Sequence, residues 1–320
     1  MASPFNPRVL KIFAVLLAVF VVLYFASNGY HVEIYQVKDS CRECVCPVSS
    51  GTGKDDCVQT KTNPKFNICL YGIDEDIHVS NSIRTHGHWS NDLTLKVHAA
   101  LTLVPNTTFI DIGANIGYFA LYACTISKHV VAIEADRRNA KMIYKGLALN
   151  SCKGNIIVLN NAISNARTTV YMSENIGKNM GGLAVAMEGS TANDKTSPAI
   201  QSWIAAITLD DLLPYVDSKD VVMKIDIEGY ECKALESAAK LFQAKTVHYI
   251  FMEWLVVGNR LRKPNTACPL EAAQNMVARL AAMGFVPAEY SPEQRLLDVT
   301  RMAAWTAYDI VWYRKGSSPI

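Results

Sequence analysis

Two carboxylates close an apolar run in Lys224-Ile225-Asp226-Ile227-Glu228-Gly229-Tyr230-Glu231. Asp226 follows the last apolar residue of a strand candidate and Glu228 lies two positions on. Both are therefore predicted at the carboxyl edge of a sheet, where ligands bind in open α/β folds. A carboxylate there can accept the proton of a weak nucleophile, such as a hydroxyl, as its new bond forms. The alternative is structural: Asp226 would cap the following helix and Glu228 would hold Lys224 in a buried pair. Glu253 ends the next strand candidate at the same edge. His88, in the loop-like Thr85-His86-Gly87-His88-Trp89, is a further candidate base or substrate contact, with Trp89 as a platform for a sugar face. His86 and His88 do not share a helix face, and no metal site is predicted.

A second constellation is suited to binding rather than proton transfer. Phe109-Ile110-Asp111-Ile112-Gly113-Ala114-Asn115-Ile116-Gly117 sets an apolar strand before a glycine turn and a helix, an order that brings a nucleotide-like ligand close to backbone. About 20 residues later the strand Val130-Val131-Ala132-Ile133 ends in Glu134, an acid placed to hold ribose hydroxyls. The dinucleotide fingerprint needs glycines where Asn115 and Tyr118 stand, so no pyrophosphate cradle is expected. The pattern predicts a nucleoside with a charged tail, and Asp111 could serve the tail.

The segments Asp111 to Gly117, Glu134-Ala135-Asp136, Asn161-Ala162-Ile163-Ser164, Thr208-Leu209-Asp210-Asp211-Leu212 and Lys224 to Glu231 together resemble the FkbM-type methyltransferases in order and spacing. The likeness runs from about Ser80 to the C-terminus, and the Lys-Ile-Asp-Ile-Glu-Gly-x-Glu stretch is its most specific element. It departs from the family pattern after Trp89, where Ser90 stands in place of a frequent Glu. The resemblance implies a Rossmann-like class I fold, S-adenosyl-L-methionine as methyl donor, and transfer to a hydroxyl oxygen of a sugar or natural product. It also implies cofactor contacts from Asp111, Gly113, Ala114, Asn115, Gly117, Glu134, Ala135, Asn161, Ala162 and Asp226. Asp226, Glu228 and His88 are the catalytic candidates.

The elements needed to position these residues are legible as periodicity. Seven short β-branched runs read as strands: 108–112, 130–134, 156–160, 221–225, 249–253, 285–290 and 308–313. Helical spacing fits 118–127, 137–149, 232–242 and 269–283, the last opening at Pro269 and stopped by Gly284. The fold class expected is α/β, a seven-stranded, mostly parallel sheet with helices on both faces. Residues 165–206 read as a polar, Gly- and Ser-rich loop.

Ahead of this domain, residues 9–26 form a nearly uncharged apolar stretch long enough to span a bilayer, with Arg8 and Lys11 on its N-terminal side. The organisation expected is a cytosolic tail over 1–8, a signal-anchor over 9–26, a Cys-rich stem over 27–79 and the catalytic domain over 80–320. A cleaved signal peptide is the alternative, though bulky Tyr24 suits a cleavage site poorly. Either way the domain is delivered across the membrane; the anchor reading gives a type II protein of the secretory pathway, with its domain in the Golgi lumen.

Of nine cysteines, Cys41, Cys44, Cys46, Cys57 and Cys69 crowd together, which fits disulfides in an oxidising compartment; the C-x-x-C of Cys41 and Cys44 leaves zinc as a rival. Asn106-Thr107-Thr108 is a glycosylation sequon expected away from the site. A net charge of +2 over 320 residues gives no nucleic-acid footprint. The acceptor expected is a glycan or glycolipid. Topology alone would also suit a glycosyltransferase, but no Asp-x-Asp follows an apolar strand. A methyltransferase-like fold that only binds or escorts another membrane protein is the second alternative.

Overall fold

The computed structural model describes residues 34–36 and 56–320, apart from 127, 153–155, 174–184, 187–199, 264–265, 291–294 and 319. In chain order the elements are β1 (Ile34–Gln36), β2 (Asp56–Gln59), β3 (Asn67–Leu70), α1 (Val79–His86), α2 (Asn91–Leu103), β4 (Thr108–Ile112), α3 (Tyr118–Thr125), β5 (His129–Ile133), α4 (Arg137–Ala148) and β6 (Ile156–Leu159). Next come β7 (Ala162–Ile163), β8 (Thr168–Ser173), β9 (Val185–Ala186), β10 (Ile200–Ile207), a 3-10 turn (Leu209–Tyr215) and β11 (Asp220–Ile225). The last elements are α5 (Glu231–Glu236), α6 (Ala239–Ala244), β12 (Thr246–Glu253), α7 (Leu255–Arg260), α8 (Leu270–Ala282), β13 (Phe285–Glu289), a 3-10 turn (Val299–Ala304) and β14 (Asp309–Arg314).

The main sheet has the order β1-β6-β5-β4-β11-β12-β14-β13. β6, β5, β4, β11 and β12 run parallel, while β14, β13 and β1 are antiparallel to their neighbours. All seven expected strands are present, and β1 corrects the count to eight. Their side chains alternate between two cores, as a sheet covered on both faces requires. Ile110, Val131, Met223 and Ile250 enter the layer packed by α5, α6 and α8; Phe109, Val130, Val222 and Phe251 enter the layer packed by α2, α3 and α4. Order reverses between β4 and β11, which opens a crevice at their carboxyl ends.

Several boundaries differ from the sequence reading, each for a local reason. The helix expected over 232–242 is two short helices, because Ser237 Oγ donates to Ala234 O (2.7 Å) and accepts from Leu209 N (3.0 Å), which ends the first one. Within the expected loop 165–206, β8, β9 and β10 join β7 in a four-stranded sheet of order β7-β10-β8-β9. Ala162, Ile163, Val170, Met172, Ala206 and Ile207 of this sheet are buried, so short apolar runs lay inside a polar average.

Residues 56–79, read as the end of a stem, pack into the domain. β2 and β3 form a hairpin closed by the Cys57–Cys69 disulfide between register partners. Phe66, Ile68 and Leu70 are buried in the core beneath α3 and α4. Further disulfides join Cys124 to Cys152 and Cys232 to Cys268. The tail, the anchor segment 9–26 and Cys41, Cys44 and Cys46 lie outside the described residues. Among the described residues no helix is long and apolar enough to cross a membrane.

Phe66 meets the rings of Tyr118 at 5.3 Å and Tyr122 at 6.0 Å edge-on. Phe66→Ala is expected to lower unfolding free energy by about 3–5 kcal/mol, the usual cost of deleting a buried aromatic ring. Urea denaturation checks this; a loss below about 1 kcal/mol, typical of a surface site, would show that the hairpin is a detachable appendage.

Candidate active site

The glycine turn after β4 is stitched to both neighbouring strands. Gly113 N and Ala114 N donate to Ile133 O at 2.9 and 3.0 Å, and Asp226 N donates to Ile112 O at 3.0 Å. Gly113 has φ +77°, and a Cβ on it would lie 1.8 Å from Asp226 O, so only glycine fits. Asn115 follows with φ +52° and anchors its own turn, Oδ1 accepting from Ile116 N at 2.7 Å. Gly117, at φ +90°, starts α3 packed on Ile143.

Around this turn lies a cavity of about 630 Å³, a volume suited to a nucleoside-sized ligand with room for a second group. Its walls include Gly113, Ala114, Asn115, Glu134, Ala135, Asn161, Ala162, Asp226, Glu228 and His88, which brings together ten of the twelve residues singled out from sequence. Asp111 and Gly117 are the exceptions. Asp111 is fully buried beneath the wall, and Gly117 shapes the helix start without lining the space.

Glu134 sits where the strand-end argument put it. Its Oε2 accepts from Asn115 N at 2.7 Å and its Oε1 from Asp136 N at 2.8 Å. Asn139 Nδ2 also donates to Oε1 at 3.4 Å; of about four acceptor directions on a carboxylate, one is left for a ligand hydroxyl. Burial pushes its pKa up to about 7 against the pull of those N–H groups. Asn160 fixes the loop that carries it, donating to Glu134 O and Ala135 O at 2.8 and 3.0 Å. Ile133, Ala135, Ala162, Ile163 and Met172 supply an apolar wall beside this acid.

The opposite half of the cavity is acidic. Asp226, Glu228 and Glu253 each place an oxygen within 4.8 Å of the others, and Asp309 stands across the strands from Glu253. Burial, then the charge of Asp226, raises Glu228 to about 7 and Asp309 to about 7; burial, Asp226, Glu228 and Glu231 raise Glu253 to about 9. Carboxyls so placed resist full ionisation, and proton transfer near neutral pH is within their range. The oxygen spacing is also one that a divalent cation accepts, where the sequence predicted none.

Lys224 lies at register with Asp111 on the adjacent strand; its Nζ is 3.9 Å from Asp111 Oδ1 and 3.1 Å from Asp226 Oδ2. Burial would lower its pKa, but Asp226 and Asp111 outweigh that and raise it. Lys224 was expected to pair with Asp226 or Glu228, Glu228 being the partner on the structural reading; it pairs with Asp226, and with Asp111 in addition. Asp226 caps no helix, since α5 begins after Tyr230 without a side-chain cap.

His88 and Trp89 reach the cavity from the α1–α2 connection, which is fixed from both sides. Ser82 Oγ donates to His88 O at 3.1 Å, and Thr94 Oγ1 bonds to Trp89 O and Ser90 O at 3.2 and 3.0 Å. Asp309 and Tyr308 went unrecognised from sequence. Because β14 runs antiparallel, its first residues lie at the carboxyl edge of the parallel strands, so reading that strand's direction would have found them. The Thr208–Asp211 segment proved structural: Thr208 and Asp211 form a capping box, and Arg167 bonds Asp211 to hold the small sheet.

The chain matches the Methyltransferase FkbM domain over residues 111–287 and belongs to that family. No curated protein is a significant match. Among solved structures, magnesium protoporphyrin IX methyltransferase from Synechocystis aligns at 9% identity and TM-score 0.36, over 70% of this chain and 77% of its own. Precorrin-6y C5,15-methyltransferase from Geobacter metallireducens aligns at 12% identity and TM-score 0.36, over 76% and 98%. These likenesses are too remote to say what the chain binds or acts on.

The raised acids make stability depend on pH. A carboxyl whose folded pKa lies above its unfolded value contributes stability that is full below the unfolded pKa and lost as pH rises through the folded one. For Glu253 that window runs from about 4.5 to about 9. Glu253→Gln should therefore melt with the wild type near pH 5 and increasingly above it toward pH 9. Melting curves across that range test this; a constant offset would show that the carboxyl is not strained by ionisation.

Proposed function

We propose that the protein is an S-adenosyl-L-methionine-dependent methyltransferase acting on a hydroxyl of a glycan or glycolipid in the secretory pathway. One observation supports this reading: a single cavity of about 630 Å³ joins an apolar wall beside Glu134 to the carboxylates Asp226, Glu228, Glu253 and Asp309. Glu134, Ala135, Asn161 and Ala162 would hold the nucleoside, and the turn from Gly113 to Asn115 would support the charged tail. When bound, the cofactor supplies an electrophilic methyl group on a sulfonium. Asp226 orients the acceptor hydroxyl and receives its proton, Glu228 faces the positive end of the cofactor, and His88 and Trp89 form the acceptor's wall. Positioning and exclusion of water account for much of the rate in such a transfer.

The lumenal setting is supported by the three disulfides and by the apolar segment 9–26, read as a signal-anchor. Asn106 is exposed at the start of β4, at the sheet edge away from the cavity, so a glycan there would leave the site open.

Calorimetric titration of the wild type with S-adenosyl-L-methionine is expected to give micromolar binding, weakened at least about tenfold in Glu134→Ala, as for loss of a charged hydrogen-bond acceptor. Folded protein that binds none would end the enzyme reading in favour of a non-catalytic binding module. With binding in hand, glycan acceptors can be screened for transfer of labelled methyl groups.

A further inference from the structure

The turn that presents Asp226 and Glu228 is not stable by its own sequence. Glu228 has φ +55° and Gly229 φ +94°, two successive left-handed residues of which only the second is glycine. A side chain rarely adopts that conformation unless its surroundings hold it there. Two groups do so. From within the turn's own helix, the buried Glu231 accepts from Ile227 N at 3.0 Å. From outside, Arg260, at the end of α7, donates through Nη1 to Glu228 O at 2.6 Å. Gly229 leaves the space this guanidinium occupies: a Cβ there would lie 2.9 Å from Arg260 Nη1 and 3.2 Å from Val256 Cγ1.

We propose that Arg260 is a positioning residue: by fixing the carbonyl of Glu228 it holds the left-handed turn that aims the Glu228 carboxylate at the charged, methyl-bearing end of the cofactor. This rests on the cofactor reading above. Arg260 lies outside the Lys224–Glu231 stretch and does not line the cavity, so it acts only through Glu228. Its charge also draws the Glu228 pKa down against burial and Asp226. A mere structural brace would affect every ligand of the pocket alike, whereas a residue acting through Glu228 affects only ligands that carry the positive end.

Calorimetry with S-adenosyl-L-methionine and with methylthioadenosine, which lacks the sulfonium and the amino acid tail, separates the two. Arg260→Ala and Glu228→Gln are each expected to weaken S-adenosyl-L-methionine about tenfold, with methylthioadenosine unchanged within about twofold. The double variant should bind no worse than Glu228→Gln alone, the signature of one coupled pair. Arg260→Lys, which keeps the cation and the stem, should fall between wild type and Arg260→Ala, and it carries the comparison if the alanine variant does not fold. Additive losses, equal losses for both ligands, or no loss in Arg260→Ala would overturn the proposal. A folded wild type that binds methylthioadenosine but not S-adenosyl-L-methionine would overturn it too, while one that binds neither removes the cofactor reading beneath it.

Discussion

The site depends on a buried ammonium between two strands. Lys224 on β11 lies opposite Asp111 on β4 and reaches forward to Asp226, so one cation is shared by a fully buried acid and an acid of the cavity wall and offsets part of their charge. Removing one member of such a buried set typically costs about 3–5 kcal/mol, because the charge left behind has no solvent. The same seam is where Gly113 meets the Asp226 carbonyl with no room for a side chain. Position and charge are thus set together: the strands approach closely because of the glycine, and the approach is tolerable because the acids share a lysine.

Engaging Lys224 in this way leaves the outer carboxylates short of cations. Glu228, Glu253 and Asp309 face the cavity, and the guanidinium of Arg260, which acts on Glu228, is turned to that residue's backbone carbonyl. The result is a pocket with one apolar half and one acidic half, in which ionisation is resisted until positive charge arrives. A ligand with an aromatic base at one end and cationic groups at the other complements both halves. S-adenosyl-L-methionine has that form, and its positive charge would offset the burial and the mutual repulsion that raise those acids.

How much of this was legible in the sequence follows from the range of each interaction. β4, β5, β6, β11 and β12 were found within a few residues because their apolar runs are continuous, as buried parallel strands must be. Glu134 and Asp226 were found because a strand's last residue is placed by the strand itself. Hidden features depended on distant partners. The break at Ser237 needs Leu209, the left-handed Glu228 needs Arg260, and Asp309 reaches the site only because β14 runs against the rest. The β2–β3 hairpin was obscured by its setting: Phe66, Ile68 and Leu70 do alternate, but within a polar, Cys-rich stretch whose average reads as a tether.

The division between shared and particular parts of the pocket bears on what is methylated. The family match spans 111–287 and so contains the glycine turn, Glu134, the small sheet and the carboxylates of β11 and β12. Outside it lie His88, Trp89 and Ser90 on one side of the cavity and Tyr308 and Asp309 on the other. If the matched residues hold the methyl donor and supply the base, these flanking groups are left to contact the rest of the acceptor. They sit on rigid supports: the α1–α2 connection is fixed by Ser82 and Thr94, and Tyr308 accepts the backbone N–H groups of Trp254 and Leu255. Together they add an aromatic face, a histidine and an acid to the rim of the cavity. The family-matched residues and the flanking ones thus come from different stretches of the chain and meet in one cavity beside the point where the sheet reverses its order between β4 and β11.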